Sequence, residues 1–592
     1  GIDTMPEFSA ELKEIGEYSF AQTKVTTVVI PDGFKVGDAA FEDCAQLTTV
    51  TVKDNVIVGI AAFRSKEILA SNSSGAIVMY RFPSKLKTLS IGANADLQPD
   101  AFYGVAAEQI TLGGGAVIGD GAFYNAQNLK SIDLSQAKSI GFRAFSGMVY
   151  KASQAAIKIT VCAAKLTEVD LSACESLGAE AFMFCHDIKT VKLGSQIKEV
   201  PDYAFFGLLD VDAKGNKIEY ALLESVEGLS HIEKIGECAF QSAKFSGSLD
   251  LSSASEIKTA AFADCVSLGS VTLKEGAKLG AGVFANCEKL VSVTNLDKVA
   301  ELGDEAFFYS GLTKADVSSA TTLGNRVFIG SKVTEVVLSD NLENIGENPF
   351  TGCLIPAFQK TVNGSETDTY DIGENIKVIG GVLYRVVPNG LELVVYPAAM
   401  KGGLCKIEEG TVRIGARAFE GSENLTAVEI PASVKAVGHK AFFDCKRLTL
   451  VTFNGAEAPI LEEEYDVAYQ LYVNLPFMGE EINGSTGEKF TALGIVPYRM
   501  WNADQSTSTF YYGANFVNYV GKQDQTLVMA RPVNGKGYDT FIFNKYFGTV
   551  IESPAVLLDD TLAVIELINA LPEFITISDK AAVEAASAAF YG

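Results

Sequence analysis

Along three quarters of this chain the apolar positions recur as one phrase. At 118–123 it reads Ile118-Gly119-Asp120-Gly121-Ala122-Phe123. The aromatic returns at Phe20, Phe41, Phe63, Phe102, Phe123, Phe145, Phe182, Phe205, Phe240, Phe262, Phe284, Phe307, Phe328, Phe350, Phe419 and Phe442, mostly at intervals of 21 to 23 residues. A second phrase travels with it: Leu268-Gly269-Ser270-Val271-Thr272-Leu273 is one copy. There Val271 and Leu273 alternate with Thr272, the period of a strand with one buried face. One short strand per repeat is too sparse for hairpins and suits parallel stacking of coils, each burying its apolar side against its neighbours.

The remaining positions complete the predicted coil. Turn residues such as Pro31-Asp32-Gly33 follow the strand. Glycine opens the return leg where a Cβ would clash, Ala leaves room for the neighbouring backbone, and Phe forms a continuous spine. The return leg itself, as in Glu180-Ala181-Phe182-Met183-Phe184-Cys185, reads as short and helix-like. The three longer intervals, 63 to 102, 145 to 182 and 205 to 240, each read as one degenerate coil plus an extra loop.

Together the two phrases, extended to Ile-Gly-x-x-Ala-Phe-x-x-Cys, resemble the BspA-like leucine-rich repeats of bacterial surface proteins across roughly residues 8–455. Gln98 and Pro201 depart from the Gly; Val283, Val327 and Pro349 depart from the Ala. The resemblance implies an α/β leucine-rich-repeat solenoid with one short parallel strand per coil. It also implies a secreted or wall-attached location and extracellular partners, either proteins or glycans. Residues Gly1 to Ala10 are polar and mixed and carry no signal-peptide pattern, so location rests on the resemblance alone.

Three regions stand outside the repeat. Between 354 and 411, alternating runs around Pro388-Asn389-Gly390 predict a β-hairpin insertion in the 1–455 solenoid. After the boundary at Gly455-Ala456-Glu457-Ala458-Pro459, residues 456–557 are rich in Tyr and Phe and read as a small mixed, mainly β cap. Residues 558–592 carry two helical runs, similar to short helical modules of Gram-positive cell-wall proteins, and are expected to continue beyond Gly592.

Charge and composition narrow the function. The net charge is −25, from 73 acidic and 48 basic residues. This disfavours nucleic acid and a polybasic membrane anchor, both of which need clustered Lys and Arg. No apolar run reaches the length of a membrane span. Of ten cysteines, Cys44, Cys185, Cys265, Cys287, Cys353 and Cys445 sit three residues after a spine Phe and read as buried thiols. Pairing among Cys162, Cys174, Cys238 and Cys405 is left open. With three histidines and no Cys-x-x-Cys, no metal or other cofactor is expected. The neighbours Cys185 and His186 do not constitute a nucleophile–base pair, because adjacent residues rarely face each other. Gly113-Gly114-Gly115 lacks the Lys-Ser/Thr ending of a phosphate loop.

The candidate site is therefore a surface. In each strand phrase the third and fifth positions point away from the core. They include Thr49, Thr51, Ser131, Asp133, Glu168, Asp170, Thr190, Lys192, Ser248, Asp250, Ser270, Thr272, Ser292, Thr294, Lys314, Asp316 and Glu335. Stacked coils would align them in ladders across a concave, hydroxyl-rich, mildly acidic face. The expected function is adhesion or recognition through that face by a monomeric, non-enzymatic protein. The alternatives are a spacer presenting a C-terminal module and, more remotely, an enzyme within 460–592. The bland reading, that these residues are only the wet side of a sheet, competes at each position.

Overall fold

The computed structural model describes residues 2–453, apart from 9–10, 66, 72–76, 82–83, 154–155, 162, 208, 212–216, 220–221, 363, 444, 446 and 449. Beyond 453 it describes Pro459 and strand segments as far as Glu552. The chain forms two compact units, Gly1–Val299 and Ala300–Gly592.

Both units are built from stacked coils, and the coil carries two strands where the sequence predicts one. In the first unit the longer strands Thr27–Ile30, Thr49–Val52, Thr88–Ile91, Gln109–Leu112 and Ser131–Ile132 form one parallel sheet. A second parallel sheet is made of two-residue strands: Glu14–Ile15, Lys35–Val36, Ile57–Val58, Asp96–Leu97, Val117–Ile118, Ser139–Ile140 and Ser176–Leu177. The Ile of Ile-Gly-x-x-Ala-Phe is the buried member of this second strand. Further coils repeat the plan, with longer strands Gly247–Leu251, Leu268–Leu273 and Ser292–Thr294 in register.

The helix-like reading of the return leg is corrected. Residues two before and two after the spine Phe are left-handed, for example Ala39 (φ 50°) and Asp43 (φ 58°) around Phe41. Glu180 (φ 56°) and Phe184 (φ 66°) flank Phe182 in the same way. An α-helix needs consecutive right-handed residues, so the leg becomes a chain of tight turns. Its N–H groups alternate between partners. Those of Ala122, Tyr124 and Ala126 close turns onto Gly119, Gly121 and Phe123; those of Gly121, Phe123 and Asn125 donate to Phe142, Ala144 and Ser146 of the next coil. Every second donor thus welds one coil to the next, and backbone polar groups are satisfied without helix or sheet. The helical segments among the described residues are two 3₁₀ turns, Leu229–His231 and Lys298 with its two predecessors, Leu296–Lys298.

The glycine of the repeat is explained by stacking, not by its dihedral. A Cβ on Gly141 would lie 2.6 Å from Asp120 N and Gly119 C of the preceding coil; on Gly119 it would lie 2.2 Å from Leu97 O. Beyond it runs the spine. Phe20, Phe41, Phe63 and Phe102 are stacked near-parallel at centroid distances of 5.2, 4.9 and 5.0 Å. Fully buried Phe rings continue through Phe240, Phe262 and Phe284.

The spine overturns the reading of the long intervals. Phe63 stacks directly on Phe102, Phe145 on Phe182 at 5.1 Å, and Phe205 on Phe240 at 5.6 Å. Strand Thr49–Val52 pairs directly with Thr88–Ile91. No degenerate coil lies between them. The extra residues form antiparallel hairpins, Glu67–Ser71 with Ile77–Arg81, Met148–Ser153 with Ala156–Val161, and Leu209–Val211 with Lys217–Glu219. All three leave the coil at the same place, just after the spine Phe.

In the second unit, strands Lys314–Val317 and Glu335–Leu338 pair as in the first. The segment from Tyr370 to Val395 is an antiparallel run, Tyr370–Ile372, Ile376–Ile379, Val382–Val387 and Gly390–Val395. Its last strand then runs parallel to Thr411–Ile414, and Tyr396 takes a spine place, stacked 4.7 Å from Phe419. Val528–Pro532 pairs parallel with Leu450–Phe453 and antiparallel with Tyr538–Asn544. The helical runs expected in 558–592 lie outside the described residues.

The six cysteines after spine residues share one environment. The thiols of Cys44, Cys265, Cys287, Cys353 and Cys445 donate to the carbonyls of Phe20, Phe240, Phe262, Phe328 and Phe419, the spine Phe of the preceding coil, at 3.0 to 3.5 Å. Cys185 does the same to Phe145 O at 3.3 Å. A small, weakly donating side chain suits a slot too apolar for a charge and too narrow for a larger group. Cys174, Cys238 and Cys405 are free and buried, and Cys162 lies outside the described residues.

Candidate functional site

The longer strands put the candidate residues on their outer faces. Their burial alternates along each strand, as in Glu168–Leu171 and Thr190–Leu193, whose Val and Leu are buried. Pairing aligns the outward residues into ladders. Thr49 lies between Thr27 and Thr88, and Thr51 between Val29 and Ser90. Ser131 follows Gln109, and Asp133 stands just past the end of its strand. Glu168, Thr190 and Ser225 form one ladder; Asp170, Lys192 and Glu227 form another. Ser248, Ser270 and Ser292 align, as do Asp250, Thr272 and Thr294. In the second unit Lys314 faces Glu335, and Asp316 faces Val337. The candidates therefore occupy four separate sheets, and each ladder runs within its own sheet.

Their chemistry divides in two. The aspartates act first on their own chain. Asp133, Asp170, Asp250 and Asp316 each accept a hydrogen bond from the backbone N–H two residues on, at Ser135, Ser172, Ser252 and Ser318 (2.9, 2.9, 3.0 and 3.4 Å). This is an Asx turn that ends the strand. The bonds from Ser135 hold the Asp133 carboxyl below its ordinary value. The lysines pair along the ladders, Lys314 with Glu335 at 2.7 Å and Lys192 with Asp170 at 3.9 Å. These pairs are exposed and contribute little to stability. By contrast, the hydroxyls of Thr49, Thr51, Thr88, Ser90, Ser131, Thr190, Ser248, Ser270, Thr272, Ser292 and Thr294 make no side-chain hydrogen bond among the described residues.

Sequence reasoning missed Thr27, Thr88, Ser90, Gln109 and Thr111. Val25-Thr26-Thr27-Val28-Val29-Ile30 and Leu86-Lys87-Thr88-Leu89-Ser90-Ile91 carry the phrase with apolar replacements, and Ala107-Glu108-Gln109-Ile110-Thr111-Leu112 replaces its first Leu by Ala. Period-2 alternation was still present and would have found them. The outer face of the two-residue strands was also missed. One run of it is charged with alternating sign: Glu199, Lys234, Glu256 and Lys278 are register neighbours in turn. Opposite charges across adjacent strands largely satisfy one another.

Two other places collect polar groups. In the second unit Glu392, 4% exposed, lies between Arg385 and Arg413. The Arg385 guanidinium also donates to Ile345 O at 2.7 Å. In neighbouring coils the equivalent carbonyls, Leu323 O and Leu393 O, accept from a repeat glycine, so Arg385 caps a sheet edge that the repeat leaves open. Glu347 meets Arg417 at 2.9 Å, His439 at 3.4 Å and Arg326 at 3.5 Å. Glu347, Arg385, Glu392, Arg413 and His439 line a cleft of about 250 Å³, and the ion pairs bridge the coils either side of the antiparallel run. In the first unit, burial pushes the Cys185 thiol far up and the His186 imidazole down to about 4. With its thiol directed at Phe145 O, Cys185 offers no thiolate to His186. Among the described residues no three His, Cys, Asp or Glu converge to hold a metal ion, and no helix is long and apolar enough to cross a membrane.

The repeat's profile matches a known family description, "BspA type Leucine rich repeat region", in six copies covering residues 6–73, 66–163, 95–212, 217–322, 255–371 and 404–472. Among solved structures, the chain is similar to a leucine-rich repeat protein from Bacteroides ovatus, at 21% identity over 74% of this chain and 82% of that one, with a TM-score of 0.33. It is also similar to a leucine rich cell surface protein from Faecalibacterium prausnitzii, at 19% identity over 77% and 86%, TM-score 0.29. A third is the pneumococcal vaccine antigen PcpA, at 17% identity over 53% and 73%, TM-score 0.30. No curated protein matches the chain.

Proposed function

The chain belongs to the BspA-type leucine-rich repeat family, and from that premise we propose that it works outside the bacterial cell as an adhesion or recognition protein, docking a macromolecule on the outer face of its longer strands. One observation carries this reading. The ladders Thr27–Thr49–Thr88 and Ser248–Ser270–Ser292 present hydroxyls in register that the protein itself leaves uncommitted. A row of donor–acceptor groups at the ~4.8 Å spacing of strands can meet an extended polar partner, a glycan or a protein edge, through many weak contacts. The alternating charges of Glu199, Lys234, Glu256 and Lys278 face one another across adjacent two-residue strands and favour the longer strands as the docking side.

The test is a binding screen of the full chain against matrix proteins and surface glycans, followed by strand-face variants. Thr49→Lys with Thr51→Lys, and Ser270→Lys with Thr272→Lys, are expected to weaken any captured partner at least tenfold. Lys234→Glu, on the other sheet, should leave it unchanged. Binding that survives both strand-face pairs would refute the docking side. A chain that binds nothing in the screen would favour a spacer that presents another module.

A further inference from the structure

In the second unit the antiparallel run rejoins the stack through a shortened coil. In register, Leu393 takes the place of Ile414, and Tyr396 takes a spine place against Phe419. Ile414 and Phe419 are five positions apart, as are Ile345 and Phe350, whereas Leu393 and Tyr396 are three apart. The Tyr396 coil therefore lacks two residues of the return leg. The cleft of about 250 Å³ lies at this place, with Gly346, Glu347 and Asn348 on one wall and Gly415 and Ala416 on another.

The shortening breaks the pattern that welds one coil to the next. Between the coils of Phe328 and Phe350, the N–H groups of Arg326, Phe328 and Gly330 donate to Glu347 O, Pro349 O and Thr351 O at 2.8, 2.7 and 3.1 Å. One junction later the Phe350 N–H turns back to Asn348 Oδ1 of its own coil at 3.1 Å, and Tyr396 donates to Ala418 O at 2.7 Å. Side chains join the two walls. Asn348, 2% exposed, donates through Nδ2 to Arg417 O at 2.7 Å. The Glu347 carboxylate of the Phe350 coil reaches Arg417 of the Phe419 coil at 2.9 Å and His439 of the Phe442 coil at 3.4 Å. On its own side it is held by the Phe328 coil: Asn325 Oδ1 accepts the Glu347 N–H at 2.7 Å, and Arg326 pairs with the carboxylate at 3.5 Å. Glu420 stands beyond, 2.8 Å from Arg417, while Arg385 and Arg413 of the same cleft are both turned to Glu392.

Backbone bonds between coils are indifferent to charge. At this seam the ion pairs that cross converge on one carboxylate. We propose that the seam is a charge latch: neutralising Glu347 parts the coil of Phe350 from the coils of Phe419 and Phe442 while each stays folded. A protonated carboxyl has no charge to draw Arg417 and His439 across. The charged form is the closed form, so the latch is shut at neutral pH and opens as pH falls through the folded value of the carboxyl. Parting frees the edge of the strand Asn344–Ile345, whose last carbonyl Arg385 caps.

The test is hydrogen exchange read by mass spectrometry on the full chain at pH 7, comparing the parent with Glu347→Gln and Glu305→Gln. Glu305 pairs with Arg326 at an ordinary junction, where its own N–H also donates to Asn325 O. In Glu347→Gln the amides of 346–353 and 415–421 are expected to exchange about tenfold faster or more, the scale of losing one hydrogen bond to a charged group, with 118–142 unchanged. Glu305→Gln should leave its junction, 303–310 with 325–331, at the parent's rates. Far-UV circular dichroism verifies that each variant folds. The proposal is overturned if folded Glu347→Gln exchanges at the seam as the parent does, or if Glu305→Gln loosens its junction as much. Should Glu347→Gln not fold, the parent carries the test alone. As pH is lowered, with rates corrected for the intrinsic pH dependence of exchange, the seam amides must open before those of 303–310 and 325–331; if they open no earlier, there is no latch.

Discussion

Replacing Gly141 by Ala tests the physical account of the repeat most directly. The residue has an ordinary φ, so the methyl adds no backbone strain of its own. What it meets is the coil before it: Asp120 N, Asp120 Oδ1 and Gly119 C, each 2.6 Å from the new carbon. Ordinary contact begins near 3.4 Å, so the two coils must part by roughly 0.8 Å at that edge. Two bonds cross there, Gly141 N–H to Ile118 O and Phe142 N–H to Asp120 Oδ1, both 2.8 Å. Overpacking costs about 1–3 kcal/mol, and weakening two hydrogen bonds adds about 1 kcal/mol each. The expected penalty is about 3–5 kcal/mol. Gly276→Ala is the control. That glycine is left-handed at φ 73° with nothing within 4 Å, so Ala there costs only the conformational ~1–2 kcal/mol. A stacked array need not unfold in one step, so hydrogen exchange is the assay. In Gly141→Ala the amides of coils 118–142 should exchange about a hundredfold faster or more, with distant coils little changed. If Gly141→Ala proves as mild as Gly276→Ala, the glycine is not there for close stacking and the explanation fails.

Three further outcomes follow from the same geometry. Deleting 66–83 leaves Phe63 and Phe102 separated by 21 residues, an ordinary coil length, so the shortened chain should fold with its stack intact; loss of the cooperative fold by circular dichroism would show that the hairpin is integral to the coil. The buried thiols of Cys265, Cys287 and Cys353, the last pushed up to about 12 by burial, should resist a thiol reagent at pH 8 in the native chain and react on denaturation; rapid native labelling would refute the slot described for them. Burial works to raise the Glu347 carboxyl, but His439, Arg417 and Arg326 outweigh it and hold the group below 4.5. A depressed folded value stabilises above the unfolded one and is lost as pH falls through the folded value, so urea midpoints should fall below about pH 4.5, and Glu347→Gln should flatten that acid limb; an unchanged limb would exclude Glu347 as its source.

Why some of this was legible and some was not comes down to what each residue must satisfy. Phe41, Phe63 and Phe102 stack on their own kind, so the same side chain is demanded in every coil and the spine can be read directly. The strands Thr49–Val52 and Glu168–Leu171 are long enough to show alternation. A two-residue strand such as Lys35–Val36 has no period to display, which is why the second sheet stayed hidden. The left-handed residues Ala61, Arg143 and Glu180 are types that no propensity scale assigns to that conformation. They adopt it because the next coil supplies a carbonyl to each N–H, and a local reading of Glu180 to Cys185 therefore returned a helix. The long intervals failed for a related reason: spacing alone cannot distinguish a worn coil from a hairpin, whereas Phe63 stacked on Phe102 can.

The candidate site divides along the same line. Asp133-Leu134-Ser135, Asp170-Leu171-Ser172, Asp250-Leu251-Ser252 and Asp316-Val317-Ser318 share the spacing of an Asx turn, so the commitment of those carboxylates was written locally and could have been read. What remains for a partner is the set of residues with no internal task, such as Thr49, Ser248 and Ser270, and no local rule marks a residue by the bond it does not make. Repetition in this protein records what coils require of each other. It leaves the outward hydroxyls without such a requirement, and those are the positions to mutate first to test the proposed docking side.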